Sequence, residues 1–286
     1  MKNGFINVYK SKCDGSTYVV NKTKKKINYK CGHMGTLDPL ASGVLPVGIG
    51  KATRLFDFLL DKKKVYLAQF TFGYETDSFD LEGRVIKTGG RIPEKDEIIA
   101  VLGDFSGEIE QVPPRFSAIM VDGKRGYDLA RKGVGFELPA KKVVIDNLSL
   151  VGSDGKNAYL FKIECRGGTY IRSLCRDIAK KLGTVATMTM LERTDAGYFN
   201  KENSVSLKEL LASSEPEKYI IPPENVLDFP EIVLNNVQAT RLLNGLKDEY
   251  KYSDGLYKVF NETEFWGVGE VSNGKIYMRA YVRECE

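Results

Sequence analysis

The chain has 286 residues, 42% of them hydrophobic and 28% charged, with a formal net charge of +4. This composition is ordinary for a folded soluble protein and excludes neither an enzyme nor a binding protein. No stretch approaches the roughly 20 apolar residues that cross a bilayer, and the N-terminus lacks an apolar signal core, so we expect a cytoplasmic location. The length allows about two domains, a large one and a small appendage.

Cysteine and histidine usage narrows the chemistry. The five cysteines are odd in number and scattered, without a C-x-x-C pair, which argues against a disulfide framework. His33 is the only histidine, so the common His-rich and Cys/His zinc sites cannot be assembled. We therefore expect a reaction that uses no metal.

The first half of the chain alternates short strands with segments rich in glycine, proline or lysine. Apolar and polar residues alternate at strand spacing from Lys64 to Phe72, and the turn-like segment from Thr76 to Gly83 indicates an antiparallel hairpin. The other predicted elements are a strand at 4–8, a Lys-rich helix or loop, an irregular segment at 32–50, a helix near 51–61, a helix at 94–102, an extended passage at 111–118 and strands near 142–150 and 157–165.

The clearest helix is predicted from Tyr170 to Leu182, with Thr169 as its cap and Gly183 at its end. One apolar stripe runs along this helix. Arg172 lies off the stripe, in the first turn.

The last third of the chain is predicted to contain a helix, a linker and a small module. Ser206 and Glu209 form a capping box that begins the helix, and the Pro-containing stretch 216–230 indicates the linker. Residues 231–286 have the size of a β-rich module with one short helix from Asn236 to Leu243. Its strands are predicted at 256–260, 265–271 and 275–282.

Three glycines and a proline surround one carboxylate, Asp38, in the segment 32–43. Such a composition bends the backbone and lets a ligand approach closely. An isolated Asp-Pro pair is more often a simple turn, so the surrounding residues must decide. Lysines bunch at 22–30 and 62–64, and without motifs beside them such runs are ordinarily solvated surface.

The segment from Gly32 to Val47 follows the pattern G-H-x-G-T-L-D-P-L-A-x-G-V-L-P-V. Further blocks follow in order: K-V-Y-L-A at 64–68, F-G-Y-E-T-D-S-F-D-L-E-G at 72–83, Q-V-P-P-R-F-S-A at 111–118, G-K-R-G-Y-D-L-A-R at 123–131 and G-T-Y-I-R-S-L at 168–174. This set resembles the bacterial TruB family of tRNA pseudouridine synthases over roughly residues 4–195. Several independent motifs in the right order are stronger evidence than any single one.

The resemblance implies the α+β pseudouridine synthase fold, a mixed and mostly antiparallel sheet flanked by helices. It implies a catalytic domain at 1–228, and by position and size we assign 229–286 to a small β-rich PUA-like RNA-binding module. The implied activity is isomerisation of the uridine at position 55, in the TΨC arm of tRNA, to pseudouridine, with no cofactor. The expected partner is the TΨC stem-loop of tRNA. We expect a monomer that needs no protein partner and no membrane.

The family's functional residues match particular positions of this sequence. The resemblance implies that Asp38 is the nucleophile, that Arg172 pairs with its carboxylate and that Tyr66 lies against the target base. Further positions match residues that contact the RNA substrate in the family: His33, Tyr170 and Leu191. The candidates for holding RNA phosphates are Lys22, Lys24, Lys25 and Lys64.

The reaction suits these residue types. It breaks the bond between C1′ and N1, turns the uracil and joins C5 to C1′, which requires a nucleophile but no redox step. An aspartate with an ordinary pKa of about 3.9 is ionised at neutral pH, and a neighbouring arginine keeps it so. Attack at the uracil ring and attack at C1′ are both open, and we favour C1′ through a glycal-type path. Tyr66 can stack on uracil while its hydroxyl helps to remove the C5 proton.

Each assignment has a structural alternative. Without the family match, Tyr66 would be a packed strand aromatic, Arg172 an exposed helix arginine or phosphate clamp, and His33 a turn histidine. The sequence also departs from the family pattern. The usual D-K-P-x-G-x-T-S opening has lost its aspartate and proline at 9–17, Met120 stands where a lysine is usual, and Glu192 replaces the first arginine of L-R-R.

Two other functions compete with a stand-alone synthase. One is the related guide-RNA-dependent synthase of archaeal and eukaryotic type, although the blocks follow the bacterial pattern. The other is a tRNA-binding and refolding chaperone whose modification activity is secondary or absent.

Overall fold

The computed structural model describes residues 3–117, 119–121, 123–245 and 251–283. The α-helices in this part of the chain are α1 (Ser16–Ile27), α2 (Phe56–Leu59), α3 (Lys95–Leu102), α4 (Gly126–Arg131), α5 (Ile171–Lys181), α6 (Leu207–Ala212) and α7 (Asn236–Leu243). The strands are β1 (Gly4–Lys10), β2 (Cys31–His33), β3 (Ser42–Ile49), β4 (Lys64–Phe72), β5 (Tyr74–Thr76), β6 (Val85–Thr88), β7 (Gly107–Gln111), β8 (Met120–Val121), β9 (Lys124–Arg125), β10 (Lys141–Ser153), β11 (Ala158–Cys165), β12 (Ala186–Ala196), β13 (Phe199–Asn200), β14 (Val205–Ser206), β15 (Glu231–Leu234), β16 (Gly255–Asn261), β17 (Glu264–Ser272) and β18 (Lys275–Tyr281). Short 3-10 helices lie at Gly50–Leu55, Gly103–Phe105, Pro216–Tyr219 and Pro223–Val226. None of the helices described is long and apolar enough to cross a membrane.

Packing divides the chain into two compact units. The first unit consists of Met1–Leu37, Val44–Leu60 and Gly197–Glu286, and the second of Asp38–Gly43 and Asp61–Ala196. The boundary predicted between residues 228 and 229 falls inside the first unit. A separate RNA-binding role for residues 229–286 stays a prediction.

The second unit is built on a sheet in the order β12-β4-β11-β10-β7. All of these neighbours are antiparallel, and the start of β3 adds a parallel pairing of Ser42 with Glu192 on β12. Side chains along β4 alternate between buried and half-buried, as the sequence pattern predicts for a strand with one face in the core. Helix α5 packs against β12 and β4, and α3 packs against β10. The prediction of an α+β fold with a mixed, mostly antiparallel sheet is confirmed.

Helix α5 confirms the predicted apolar stripe but not the predicted cap. The residue at the N-cap is Tyr170, and its backbone N–H donates to Gln111 Oε1 at 2.8 Å. Thr169 does not cap the helix, because its hydroxyl donates to the carbonyl of Arg166 at 3.1 Å. Gln111, 59 residues earlier in the chain, thus holds the N–H of the N-cap residue, and no side chain among the described residues caps the first turn of the helix. Gly183, with a φ of 68°, follows the last turn as predicted.

In the first unit, β1 pairs in parallel with β14 and lies next to β3, and the Lys-rich stretch forms helix α1. The three strands predicted in the C-terminal part join β15, which was not predicted, in a four-stranded sheet, β15-β16-β17-β18, and this sheet encloses Trp266 and Ile232 together with α7. This sheet also contributes Val268 to a second apolar cluster that contains Phe5 of β1.

The prediction of a linker at 216–230 is wrong. Phe5 and Ile221 exchange two backbone hydrogen bonds of 2.9 and 2.7 Å, and Val226 and Leu227 are buried in the same cluster as Phe5. Pro216 and Pro223 begin 3-10 turns rather than a flexible connection.

Candidate active site

The segment that carries Asp38 is held at both ends. Before it, the backbone N–H of Leu37 donates to Ser16 Oγ at 2.9 Å, and the same hydroxyl donates to the Leu37 carbonyl at 2.8 Å. After it, Gly43 has a φ of 115°, and a Cβ there would overlap the backbone of Arg193 in β12. Only glycine fits this approach.

Arg172 binds the Asp38 carboxylate through two parallel contacts. Its Nε lies 2.9 Å from Oδ2, and its Nη2 donates to Oδ1 at 3.0 Å. Bidentate pairs of this kind are among the stronger hydrogen bonds in proteins and fix both partners in orientation. The Arg172 side chain is 8% exposed and that of Asp38 is 31% exposed. The carboxylate is therefore held from the buried side and open on the other.

A second carboxylate contacts the same guanidinium. Asp80 Oδ2 lies 3.4 Å from Arg172 Nη1. The carbonyls of Ser78 and Phe116 accept from Nη1 and Nη2 at 3.3 and 3.1 Å. Each of the five N–H groups of Arg172 thus has an acceptor in reach. One cation between two carboxylates leaves one negative charge in the cluster.

The two carboxylates differ in what they can do. The Asp80 side chain is 3% exposed, and its Oδ1 accepts from the Ser78 hydroxyl at 2.6 Å and from the Glu82 N–H at 3.0 Å. These bonds occupy Asp80 and fix it behind Arg172. Asp38 is the carboxylate of this cluster that a substrate can reach.

Helix α5 places Arg172 in its first turn, where the helix dipole disfavours a cation. The two carboxylates offset this cost. The extended passage after β7 holds the same turn, because Ser173 Oγ donates to the Val112 carbonyl at 2.8 Å. Together with Gln111 at the N-cap, this passage fixes the direction in which Arg172 points.

Tyr66 belongs to the buried face of β4 and is 8% exposed. It pairs in register with Arg193 of β12. Burial raises the pKa of Tyr66, the nearby Arg193 charge opposes that rise, and Asp38 adds to it. Leu191 is buried on the same strand as Arg193 and lies in register with Ala68.

Tyr170 adjoins the same cluster from the start of α5. Burial raises the pKa of its phenol, the positive charge of Arg172 lowers it, and the negative charge of Asp38 raises it. These influences place the Tyr170 hydroxyl within electrostatic range of the ion pair. Asp38, Arg172, Tyr66, Tyr170 and Leu191 all belong to the second unit.

Comparison with known proteins identifies the family. Residues 21–171 match the TruB family pseudouridylate synthase (N terminal domain), and residues 172–228 match the tRNA pseudouridylate synthase B C-terminal domain. The chain belongs to the TruB family of pseudouridylate synthases. It is accordingly an RNA isomerase of the pseudouridine synthase class.

Relatives agree with this family, and solved structures share the fold. The tRNA pseudouridine synthase B of Clostridium kluyveri is 42% identical over 275 residues, which cover 93% of this chain and 94% of the relative. That of Aquifex aeolicus is 39% identical over 277 residues, covering 95% and 96%. The crystal structure of a Cbf5-Nop10-Gar1 complex matches with a TM-score of 0.70 at 28% identity, covering 93% of this chain and 78% of the other. An archaeal box H/ACA sRNP Nop10-Cbf5 complex, at 24% identity, a TM-score of 0.72 and coverage of 98% and 86%, shows the fold alone.

The remaining predicted RNA contacts lie in the first unit or below the protein surface. His33 is half-buried on β2, in register with Val47 of β3, and Lys22, Lys24 and Lys25 are exposed on α1. Lys64 is 8% exposed, and its Nζ donates to the Lys62 carbonyl at 3.1 Å. Burial, followed by the charge of Arg193, lowers the pKa of Lys64. RNA contacts by these residues stay predictions, and exposure favours the three lysines of α1.

Two charged residues near Asp38, Asp80 and Arg193, were not predicted from the sequence. Asp80 stands inside the block at 72–83 that carries part of the family resemblance, and Arg193 ends the altered L-R-R triplet. A charge between apolar neighbours, as in Phe79-Asp80-Leu81, was the available signal for Asp80. Its partner, 92 positions away in the chain, could not be read from that pattern.

The altered opening at 9–17 folds around a buried lysine. Lys10 is 0% exposed, and its Nζ donates to the carbonyls of Ser11 and Asp14 at 3.0 and 2.6 Å. This ammonium closes the loop that leads into α1, whose Ser16 holds Leu37 beside Asp38. The other departures lie on β8, where Met120 is exposed, and on β12, where Glu192 pairs with Leu67 of β4.

Replacing Cys13 with glycine is expected to stabilise the protein. Cys13 is exposed and has a φ of 72°, a left-handed conformation that costs a side chain with a Cβ about 1–2 kcal/mol. Glycine removes this cost but adds about 0.5–1 kcal/mol of unfolded-state entropy, so the net gain should be about 0.5 kcal/mol. Thermal unfolding measures it. Cys13→Ala keeps the Cβ and serves as the control; an equal gain in both variants would exclude backbone strain as the cause.

Proposed function

We propose that this protein converts the uridine at position 55, in the TΨC arm of tRNA, to pseudouridine, with Asp38 as the nucleophile. The observation that carries the proposal is the bidentate ion pair of Asp38 with the buried Arg172. The names of the relatives, tRNA pseudouridine synthase B, supply the tRNA substrate.

The geometry suits a nucleophile that must stay ionised and oriented. Arg172 binds both oxygens of Asp38 and is itself fixed by Asp80 and by two backbone carbonyls. This arrangement aims a carboxylate at the substrate without any group having to move. We favour attack at C1′ of the ribose, through a glycal-type path, with cleavage of the bond between C1′ and N1.

The other groups of the site handle the uracil ring. Tyr66 is proposed to stack on the base, and its hydroxyl to take the C5 proton after C5 has joined C1′. Leu191 and Tyr170 are proposed to contact the target nucleotide. The uridine must leave its folded arm and flip into the site, which costs a few kcal/mol. We propose that His33 contacts the loop nucleotides displaced in this step.

The exposed lysines of α1 are proposed to bind the RNA backbone. Lys22, Lys24 and Lys25 present three cations on one helix, and release of counterions from RNA phosphates would contribute to binding. Lys64 is buried and lies within electrostatic range of Arg193, so it is less well placed to bind a phosphate than the lysines of α1.

Two alternatives are tested by the same experiment. Purified protein is incubated with a minimal TΨC stem-loop and with whole tRNA, and modified uridines are mapped. Pseudouridine at the single position 55, made by the protein alone as a monomer, supports the proposal. Refolding of tRNA without pseudouridine would identify a chaperone instead. Activity that appears only with a guide RNA and protein partners would identify the second type of synthase, which the higher identity to relatives named tRNA pseudouridine synthase B disfavours.

A further inference from the structure

Arg193 is a buried cation to which the proposed mechanism gives no task. Its residue exposure is 1%, although arginine is almost never fully buried unless it is paired. It lies on β12 in register with Tyr66 of β4, so the two side chains are direct cross-strand neighbours. Register and burial thus place its guanidinium beside the Tyr66 phenol.

The backbone around Arg193 is fixed on both sides. Gly43, at the end of the Asp38 segment, pairs with Arg193 in parallel and approaches so closely that no Cβ fits. On the other side, the register of β12 with β4 shifts between Arg193 and Asp195, and Thr194 Oγ1 donates to the Val65 carbonyl at 3.3 Å. Bulges next to active sites often re-aim a side chain. One strand position thus joins the end of the nucleophile segment to Tyr66.

The positive charge of Arg193 makes an anionic Tyr66 oxygen less unfavourable than burial alone would make it. Burial raises the pKa of Tyr66 above its ordinary value, and the nearby Cys165 and Asp38 add to that rise, whereas the charge and hydrogen bonding of Arg193 oppose it without reversing it. The charge of Arg193 also acts on the buried Lys64, because after burial it is the second cause that lowers the pKa of Lys64. A phenolate on Tyr66 would therefore form next to a fixed, permanently charged donor.

We propose that Arg193 is the positioning residue that prepares Tyr66 to remove the C5 proton, by donating a hydrogen bond to its phenolate oxygen. This inference rests on the proposed function. In the step concerned, Tyr66 has already lost its proton to solvent. The C5–H bond breaks, its electron pair forms the double bond between C5 and C6, and the phenolate takes the proton. The pair displaced from the C6–N1 double bond goes to N1, which is protonated by water.

The test compares Arg193→Gln with the wild-type protein on a TΨC stem-loop in single turnovers. Loss of a charged hydrogen bond to the base is expected to slow pseudouridine formation by about 10- to 100-fold. The rise of the rate with pH should move to higher pH, because the phenolate has lost its donor. With uridine deuterated at C5, the isotope effect should be larger in R193Q than in the wild type. A merely structural role would move neither the pH profile nor the isotope effect.

The interaction between Arg193 and Tyr66 can also be measured by spectroscopy, without an activity assay. The phenolate absorbance of Tyr66 is obtained by subtracting the titration of Tyr66→Phe, in the wild-type and in the R193Q background. R193Q is expected to shift this titration upward, whereas Arg91→Gln, which removes an exposed arginine paired with Glu97, should not. If R193Q does not fold, Arg193→Lys takes its place, because a single ammonium cannot replace the guanidinium fork. R193K should shift the pH profile of the rate and the Tyr66 titration in the same direction as R193Q.

Wild-type rate, pH profile and Tyr66 titration in a folded R193Q or R193K protein would overturn the role of Arg193 and leave the proposed function standing. If the wild-type protein makes no pseudouridine, the proposed function fails and the catalytic role of Arg193 fails with it. The spectroscopic shift would in that case report the Arg193–Tyr66 link alone.

Discussion

Asp38→Asn is expected to lower the rate of pseudouridine formation by at least about 10⁴-fold, the scale on which loss of a nucleophile acts in other enzymes with covalent catalysis. Asparagine has nearly the same shape and can still accept a hydrogen bond from Arg172, so the segment should keep its conformation. It lacks the negative charge and the nucleophilic oxygen that the reaction requires. The measurement is a single-turnover rate on the TΨC stem-loop, with the dissociation constant of the RNA determined in parallel.

The binding measurement makes this result specific. D38N should bind the stem-loop within a few-fold of the wild type, because the lysines of α1 are unchanged. Asp104→Asn is the matched control, since Asp104 is 56% exposed and pairs with Lys181. It should leave the rate unaltered. A D38N protein that still forms pseudouridine would refute the assignment of the nucleophile. A cellular effect on tRNA that D38N retains in full would instead favour the chaperone function.

The same cluster shows how far sequence reasoning reaches in this protein. The bounds of β4 and α7 follow from local patterns, because strand alternation and an Asn235–Gln238 capping box act within a few residues. The partnership of Asp38 with Arg172 came from the family resemblance, and the structure brings the two together. Asp80 and Arg193 were not predicted as site residues. The residues next to them in the sequence do not show whether a charged side chain is buried by distant strands or exposed to solvent.

The irregular segment predicted at 32–50 is wrong over Ser42–Ile49, which forms β3. Two further wrong predictions, the Thr169 cap and the linker at 216–230, share one physical origin. Thr169 has the side chain of a good cap, yet its hydroxyl binds the Arg166 carbonyl. The N-cap residue is Tyr170, and its N–H is bound by Gln111 from a strand far away in the chain. The prolines at 216–230 correctly indicate irregular backbone, but irregular backbone can still be buried, as Val226 is. Local composition reports conformation, whereas packing depends on contacts between residues that are remote in sequence.

Arg172 is expected to show two separable effects, one on stability and one on rate. Arg172→Gln leaves Asp38 and the 3% exposed Asp80 without their cation, and removing one partner of a buried ion pair typically costs about 3–5 kcal/mol of unfolding free energy. Arg172→Lys keeps the charge but cannot bind both oxygens of Asp38 while donating to Ser78 and Phe116. It should retain more of the stability and still lose about 10²–10³-fold in rate, as removal of a preorganised donor does in other sites.

Denaturant unfolding and single-turnover rates on the same samples separate these effects, with Arg91→Gln as an exposed control. Adding Asp80→Asn should recover part of the stability lost in R172Q, because it removes the buried charge that the missing guanidinium left unpaired. It should recover none of the rate, because Asp38 would still lack its partner. If R172K had the wild-type rate, the bidentate geometry would not matter for catalysis. If D80N failed to rescue R172Q, the cost would arise from packing around the guanidinium rather than from an unpaired Asp80, and the charge balance derived for this cluster would be wrong.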